Sequence, residues 1–330
     1  MTLRISNDRK YARDYRKNTV GKDNMQFGSR SFLHFVVMAT LAASSFAQKP
    51  ASNTEATDDT KGFTEAETFQ GTVNSQSGVM KLDSNLGYNF NKHFGMFAGV
   101  PVYFAHVSSI TTTVGTTTTT TPARTETGLG NVYAGLLFQA PNPALDYASA
   151  ITVGAPTGSK TKGLTTGRVS IDWDNRFEHS FSHLTPFFEG GLANTVPDSR
   201  FFTRSFTSLG AVSHLEEGAD LELFRHVSVG ASAYQIVPFG NQKVISRLAK
   251  QGSSATTGTG KRPPFFQPGV ISGTSDLTRE NGFNAWVGFE PSKFWRLEAG
   301  YTRSTTFDLN SFGFNLRFNV GQMFRSGKKS

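Results

Sequence analysis

The chain has 330 residues, among them 33 glycines, 30 phenylalanines and no cysteine, and only 18% are charged. A mean hydropathy of −0.32 excludes a bundle of apolar transmembrane helices, and the lack of cysteine excludes a disulfide framework or a thiolate metal site. The formal charge of +8 would suit a nucleic-acid partner, but its distribution along the chain removes that reading.

The first 47 residues hold eight Lys/Arg and three Asp. Without them 25 basic residues face 22 acidic ones, a net charge near +3 that leaves no nucleic-acid footprint. The one strongly apolar run, FLHFVVMATLAA at 32–43, falls short of the roughly 20 residues that a helix needs to span a bilayer. Arg30 precedes it and Ser45-Phe46-Ala47 follows as a small-x-small cleavage site, so residues 1–47 read as a secretory signal peptide cut after Ala47. Its basic leading segment is long. Met25 would open a signal of ordinary length, which makes it the expected true start. Residues 48–62, polar and without periodicity, read as a flexible periplasmic lead-in.

From Val79 onward the pattern has period two. Met80, Leu82, Leu86, Tyr88 and Phe90 share one parity, opposite Lys81, Asp83, Asn85 and Asn89. Successive side chains of a strand point to opposite faces, so each such segment has one greasy and one wet face. After NKH (91–93) comes Phe94–Val107, then a Thr-rich stretch, 108–127, which reads as a solvent-exposed loop. Gly130–Ala140, Leu145–Ala155, Arg168–Glu178 and Thr185–Val196 follow, joined by PNPA (141–144), a polar loop at 156–167 and a short connection. A loop around PDSRFFTRS (197–205) leads to Ser208–Phe224, where Glu217 breaks the alternation and marks a bulge, a rim position or a register slip. Val227–Phe239, a long loop at 240–278, Asn281–Glu290 and Trp295–Arg303 lead to the last segment, SFGFNLRFNVGQMF at 311–324. Phe312, Phe314, Leu316, Phe318 and Val320 on one side and Arg317 among polar residues on the other suit a transmembrane barrel, apolar towards lipid and polar within.

Connections alternate short and long, the barrel rule of short periplasmic turns and longer outer loops. Eleven segments are evident, and a barrel with both ends in the periplasm needs one more before Val79. Phe63–Val73 is the candidate. The expectation is therefore an all-β, closed antiparallel transmembrane barrel of about twelve strands over residues 63–324, with a polar tail at 325–330. Tyr88, Phe90, Phe94, Trp173, Trp295 and Tyr301 are candidates for aromatic girdles at the membrane interfaces.

GLGNVYAGLLF (128–138), GAPTGS (154–159), TTGRVSIDW (165–173) and GVPVYF (99–104) resemble the outer-membrane barrels grouped with the MetA-pathway phenol-degradation proteins and related transporters. The likeness covers most of 79–324. It implies passage of small molecules, apolar or aromatic ones among them, across a bacterial outer membrane. The partners it implies are the membrane lipid, a small solute and the barrel-assembly machinery.

Residues that handle a solute belong on the inward parity: Lys81, Asp83, Asp146, Asp172, Asp174, Arg176, Glu189, His214, Glu216, Asp220, Glu222, Arg296, Glu298 and Arg317. Acids outnumber bases, so the lumen would favour cations or neutral solutes through rings of carboxylates. Alternatively the charges pair across strands and fill a narrow barrel. No GxSxG, HExxH or phosphate-loop motif is present. His214 with Glu216 and Asp220 on one face is a weak metal or general-base signal, and neither catalysis nor a cofactor or metal is expected. The functional expectation is a passive outer-membrane pore for small molecules; a non-transporting barrel displaying its loops for adhesion or partner binding is the alternative.

Overall fold

The computed structural model describes residues 61–74, 77–107, 110–114, 117–121, 123–247, 270–292 and 294–319. The expected signal peptide, nearly all of the lead-in, the end of the last segment and the polar tail lie outside the described residues. Within them the strands are β1 (Gly62–Val73), β2 (Ser77–Asn89), β3 (Phe94–Val107), β4 (Ile110–Val114), β5 (Thr117–Thr121) and β6 (Arg124–Leu129). There follow β7 (Tyr133–Ala140), β8 (Asp146–Gly154), β9 (Ser170–Glu178), β10 (Leu184–Ala193), β11 (Phe206–Leu209) and β12 (Val212–Phe224). The last six are β13 (Val227–Pro238), β14 (Gln242–Ser246), β15 (Val270–Gly273), β16 (Glu280–Ser292), β17 (Trp295–Ser304) and β18 (Leu309–Asn319).

Twelve of these close into a ring. Its order is β1, β2, β3, β7, β8, β9, β10, β12, β13, β16, β17 and β18, and β18 pairs back onto β1. Neighbours are antiparallel throughout. Closure runs from Ala66↔Asn319 to Val73↔Phe312, so the segment with the weakest sequence signal is the one that removes the open edge. The barrel is legible from the alternation because a strand with lipid on one side and a polar interior on the other must change character at every residue.

Outside, Leu86, Met96, Leu136, Ile151, Leu192 and Phe312 stand 47–67% exposed as part of a continuous apolar belt. A soluble protein does not display so large a patch; the belt makes this a transmembrane barrel. Near the short turns the rings touch in succession: Phe63–Tyr88, Tyr88–Phe90, Phe94–Phe138, Phe138–Tyr147 and Tyr147–Phe177, with centroids 4.8–6.0 Å apart. Phe289 and Trp295 extend the girdle on the far side. Tyr301 packs on Phe283 and Phe312 towards the opposite end. Trp173 lies on the outer face between the girdles, its indole N–H donating to Ser149 Oγ.

Several boundaries differ from the sequence expectation. The Thr-rich stretch is not all loop, since β4 and β5 pair as a ribbon and β6 pairs with the upper half of β3. β7 takes the lower half of β3, so β6 and β7 form one wall strand interrupted at 130–132. Ser208 and Leu209 belong to β11 rather than to β12. β11, β14 and β15 make a separate three-stranded sheet from two of the long outer connections, those after β10 and after β13. The short–long alternation also has exceptions: the connections at 74–76 and 305–308, on either side of the closing pair, are short although they lie at the long-loop end.

Glu217 is neither a bulge nor a slip. It pairs with Phe188 and Ala233 in unbroken register, and the irregularity of β12 falls between Glu222 and Phe224. Its carboxylate is therefore exposed on the outward face, within the apolar belt. A charge there loses hydration in lipid. Glu217→Leu is expected to stabilise the barrel by roughly 1–2 kcal/mol, read as a higher urea midpoint for unfolding from lipid vesicles.

Candidate functional site: the lumen and its inserted segment

The interior is organised by residues 194–205, between β10 and β11, which enter the barrel instead of leaving it for solvent. Phe201 is 1% exposed and lies against the inner wall. Two inward glycines admit it. A Cβ on Gly313 would stand 2.2 Å from the Phe201 carbonyl oxygen, and one on Gly300 would stand 2.5 Å from its ring. Thr72 Oγ1 accepts from the Thr203 amide (2.7 Å) and donates to the Phe201 carbonyl (3.2 Å), while Gln70 Nε2 donates to Thr203 Oγ1 (3.0 Å). The segment thus docks by its backbone against β1 and the neighbouring closing strands.

Its charged side chains meet those of the wall. Arg200 forms a bidentate pair with Glu298 (Nε–Oε2 2.9 Å), reaches Asp220 Oδ2 at 3.4 Å and lies 4.8 Å above the Trp286 ring. Trp286 Nε1–H donates to Asp220 Oδ1 (2.7 Å), and Arg296 adds a second guanidinium to Glu298 (2.7 Å). Arg204 pairs with Glu280, both side chains 1% exposed, and Tyr234 OH donates to the other carboxylate oxygen at 2.9 Å. Asp198 accepts from Lys81 Nζ (3.0 Å), from Tyr103 OH (3.3 Å) and from the Arg204 amide (2.9 Å). Arg247, just after β14, lies over the Tyr103 ring and donates to the Arg204 carbonyl (2.6 Å). Burial alone would raise the Asp198 carboxyl, but Lys81 and then Arg247 overcome it and hold the group down at about 2.

The residues named from sequence face this interior in three groups. Lys81 and Asp83 sit near the tip of the segment, Asp83 accepting from Tyr133 OH at 3.0 Å. Asp220, Arg296 and Glu298 belong to the Arg200 cluster, with Arg317 in register with Arg296 on the adjacent strand. Asp172, Asp174, Arg176, Glu189, His214 and Glu216 line the wall made by β9, β10 and β12. There Arg176 bonds Glu178 (2.9 Å) and Glu189 (3.4 Å), Glu216 accepts from Ser232 (2.6 Å), and His214 Nε2 meets Asp172 Oδ1 at 3.0 Å. Glu222 is exposed by the short-turn end, and Asp146 caps the Asn142 amide beside the turn after β7. His214 does not converge with Glu216 and Asp220 from its own strand; its close neighbours are Asp172 and Asp174 of β9.

Sequence reading missed Asp198, Arg200, Arg204, Arg247 and Glu280, all in or beside connections. A signal existed in PDSRFFTRS, because two Phe and two Arg in nine residues are costly to leave in a solvated loop. Two cavities flank the segment. One of about 200 Å³ is bordered by Lys81, Asp83, Tyr103, Tyr133 and Arg247, and one of about 110 Å³ by Arg176, Glu189, Arg200, His214 and Tyr234.

Breaking one member of a buried ion pair costs about 3–5 kcal/mol, because the partner charge is stranded. Arg204→Ala is therefore expected to lower barrel stability by about 3 kcal/mol, and Arg204→Met with Glu280→Gln to recover most of it, both read from urea unfolding. The depressed Asp198 carboxyl adds stability that is complete above its ordinary unfolded value of 3.8 and is lost as pH falls to about 2. Acid titration is expected to release the segment across that window. The readout is a change in Trp286 fluorescence, absent in Trp286→Phe.

No family model matches the chain, and no curated protein matches it. Among solved structures, an outer membrane channel from Pseudomonas putida F1 aligns with 83% of this chain and 100% of its own, at 11% identity and a TM-score of 0.49. The KdgM porin (8% identity, TM-score 0.40) and the NanC porin (5%, 0.41) each align with 77% of this chain and 98% of their own. At these scores the likeness carries no weight for function, and the architecture rests on the closed ladder of strands.

Proposed function

We propose that this chain is a bacterial outer-membrane channel that passes small solutes by passive diffusion, reaching its site by a cleaved signal peptide and insertion by the barrel-assembly machinery. The observation that carries the reading is a closed barrel with an apolar exterior and a charged interior holding cavities on both sides of one inserted segment. A barrel of twelve strands lies between the side-chain-filled eight-strand barrel and the open porin. Here the segment, not the wall, sets the width. Tyr103, Tyr133 and Trp286 stand among the ion pairs, so small aromatic solutes bearing a polar group, phenols included, are the class best suited to the passage. Tyr103 and Tyr133 border the larger cavity beside Lys81, Asp83 and Arg247, so a small ring bearing a hydroxyl would meet aromatic edges and charged hydrogen-bonding partners there.

The alternative, a barrel that displays its loops without transport, draws support from how fully the lumen charges are paired. Planar-bilayer recording separates the two. The refolded chain is expected to give small, resolved conductance steps. Replacing residues 198–204 by a Gly-Ser linker of equal length is expected to raise them several-fold, and phenol uptake into liposomes is expected to rise in parallel. A folded barrel that stays silent in both forms would overturn the channel reading in favour of display.

A further inference from the structure

Beyond solute passage, we propose that the inner wall of β9, β10 and β12 holds a divalent transition-metal ion of the zinc class, bound by His214 Nδ1, Asp174 and Glu189. The ligand atoms of these three residues lie within 4.8 Å of one another, and His214 and Asp174 are buried while Glu189 is half-buried. They come from three strands. Gly191 of β10 is in register with Asp174 on one side and with His214 on the other, so a residue without a side chain separates the two ligands. A Cβ on Gly191 would stand 2.4 Å from His214 Nε2. The imidazole therefore lies directly over the glycine, tipped towards β9.

The two ring nitrogens are already sorted for metal binding. His214 Nε2 is 3.0 Å from Asp172 Oδ1, a hydrogen-bond distance. A metal-binding histidine commonly donates its other N–H to a carboxylate, which fixes the tautomer and turns the remaining lone pair to the ion. That leaves Nδ1, which is 3.8 Å from Asp174 Oδ1. The gap is too long for a hydrogen bond but close to the separation of about 3.4 Å between two ligands of a tetrahedral ion with bonds near 2.1 Å. A shift of a few tenths of an ångström would seat both.

Charge favours the same occupant. The strands β9, β10 and β12 carry Arg176 as their sole Lys or Arg, against Asp172, Asp174, Glu178, Glu189 and Glu216 on the same wall. Arg176 is engaged with Glu178 and Glu189. One imidazole and two carboxylates select a borderline ion such as zinc over calcium or magnesium, which prefer oxygen ligands throughout. With three protein ligands the fourth position is left open, and His214 and Glu189 border the 110 Å³ cavity.

The site rests on the barrel's geometry and not on its conductance, so it is tested by binding. Zinc chloride alone is titrated calorimetrically into the tag-free, refolded full chain. One ion per chain is expected, with a dissociation constant in the micromolar range or tighter. His214→Gln and Asp174→Asn are each expected to weaken it at least tenfold, and Gly191→Ala to weaken it by pushing the ring away. Asp172→Asn, which touches only the ring's far nitrogen, is expected to cost about 10–100-fold. Heat-modifiable migration on gels identifies the variants that fold. Zinc-edge X-ray absorption of the wild-type chain gives a reading independent of any variant, with one imidazole and an oxygen shell expected. No stoichiometric binding, unchanged affinity in a folded His214→Gln variant, or a shell with two or more imidazoles would overturn the site and leave the channel reading untouched. Silent bilayers with normal zinc binding would do the reverse.

Discussion

A backbone that passes through lipid has no water to bond, so every N–H and C=O on its path must find a partner within the protein. For strands this means closure, and closure here depends on β1. Its pairing with β18 over Ala66–Val73 removes the two edges that would otherwise face hydrocarbon. Once the ring is shut, the side-chain parity of all twelve wall strands is fixed together, because a slip of one residue in any of them would turn a charged row towards lipid. Glu217, one of the carboxylates on the outward parity together with Glu65 and Glu67 of β1, sits in unbroken register, which shows that pairing with the neighbours outweighs the cost of a misplaced charge.

The same closure creates an interior problem. Twelve strands enclose more space than their own side chains fill, and the wall contributes more acids than bases. The segment at 194–205 answers both at once. Phe201 occupies volume where Gly300 and Gly313 leave none of their own. Arg200 and Arg204 bring cations to Glu298, Asp220 and Glu280. These pairs are buried and hydrogen-bonded beyond the pair itself, through Trp286, Asn315 and Tyr234. That is the condition under which an ion pair offsets its own desolvation.

Much of the wall was legible in the sequence because parity is a local property. Strands such as Arg168–Glu178, with Val169, Ile171 and Trp173 opposite Asp172, Asp174 and Arg176, announce both faces within eleven residues. The requirement for an even number of strands supplied β1, whose own signal was weak. The site was much less legible. The two Phe and two Arg of PDSRFFTRS hint that it is not a solvated loop, but they do not say where it docks, because its partners, Thr72, Glu280 and Glu298, lie on strands distant in sequence and adjacent only after closure. The neighbours of His214 were misjudged for the same reason. Sequence offers residues two and six places along β12, whereas the fold offers β9, reached across a glycine of β10.

Width and charge in this lumen are therefore not independent. The strands set an acidic wall, and the inserted segment is what both narrows it and brings in Arg200 and Arg204. With the segment seated the lumen is narrower and, by the excess of Arg200 and Arg204 over Asp198, less acidic; with the segment displaced it is wider and more acidic. Any solute or ion that competes for Glu298 or Glu280 acts on both properties together, since it weakens the anchor in proportion to how well it replaces the guanidinium group. Lys81 holds the opposite end of the segment through Asp198, and there an anion would be the competitor. The two anchors thus respond to charges of opposite sign, which ties the seating of the segment to the ionic make-up of the lumen at both contacts.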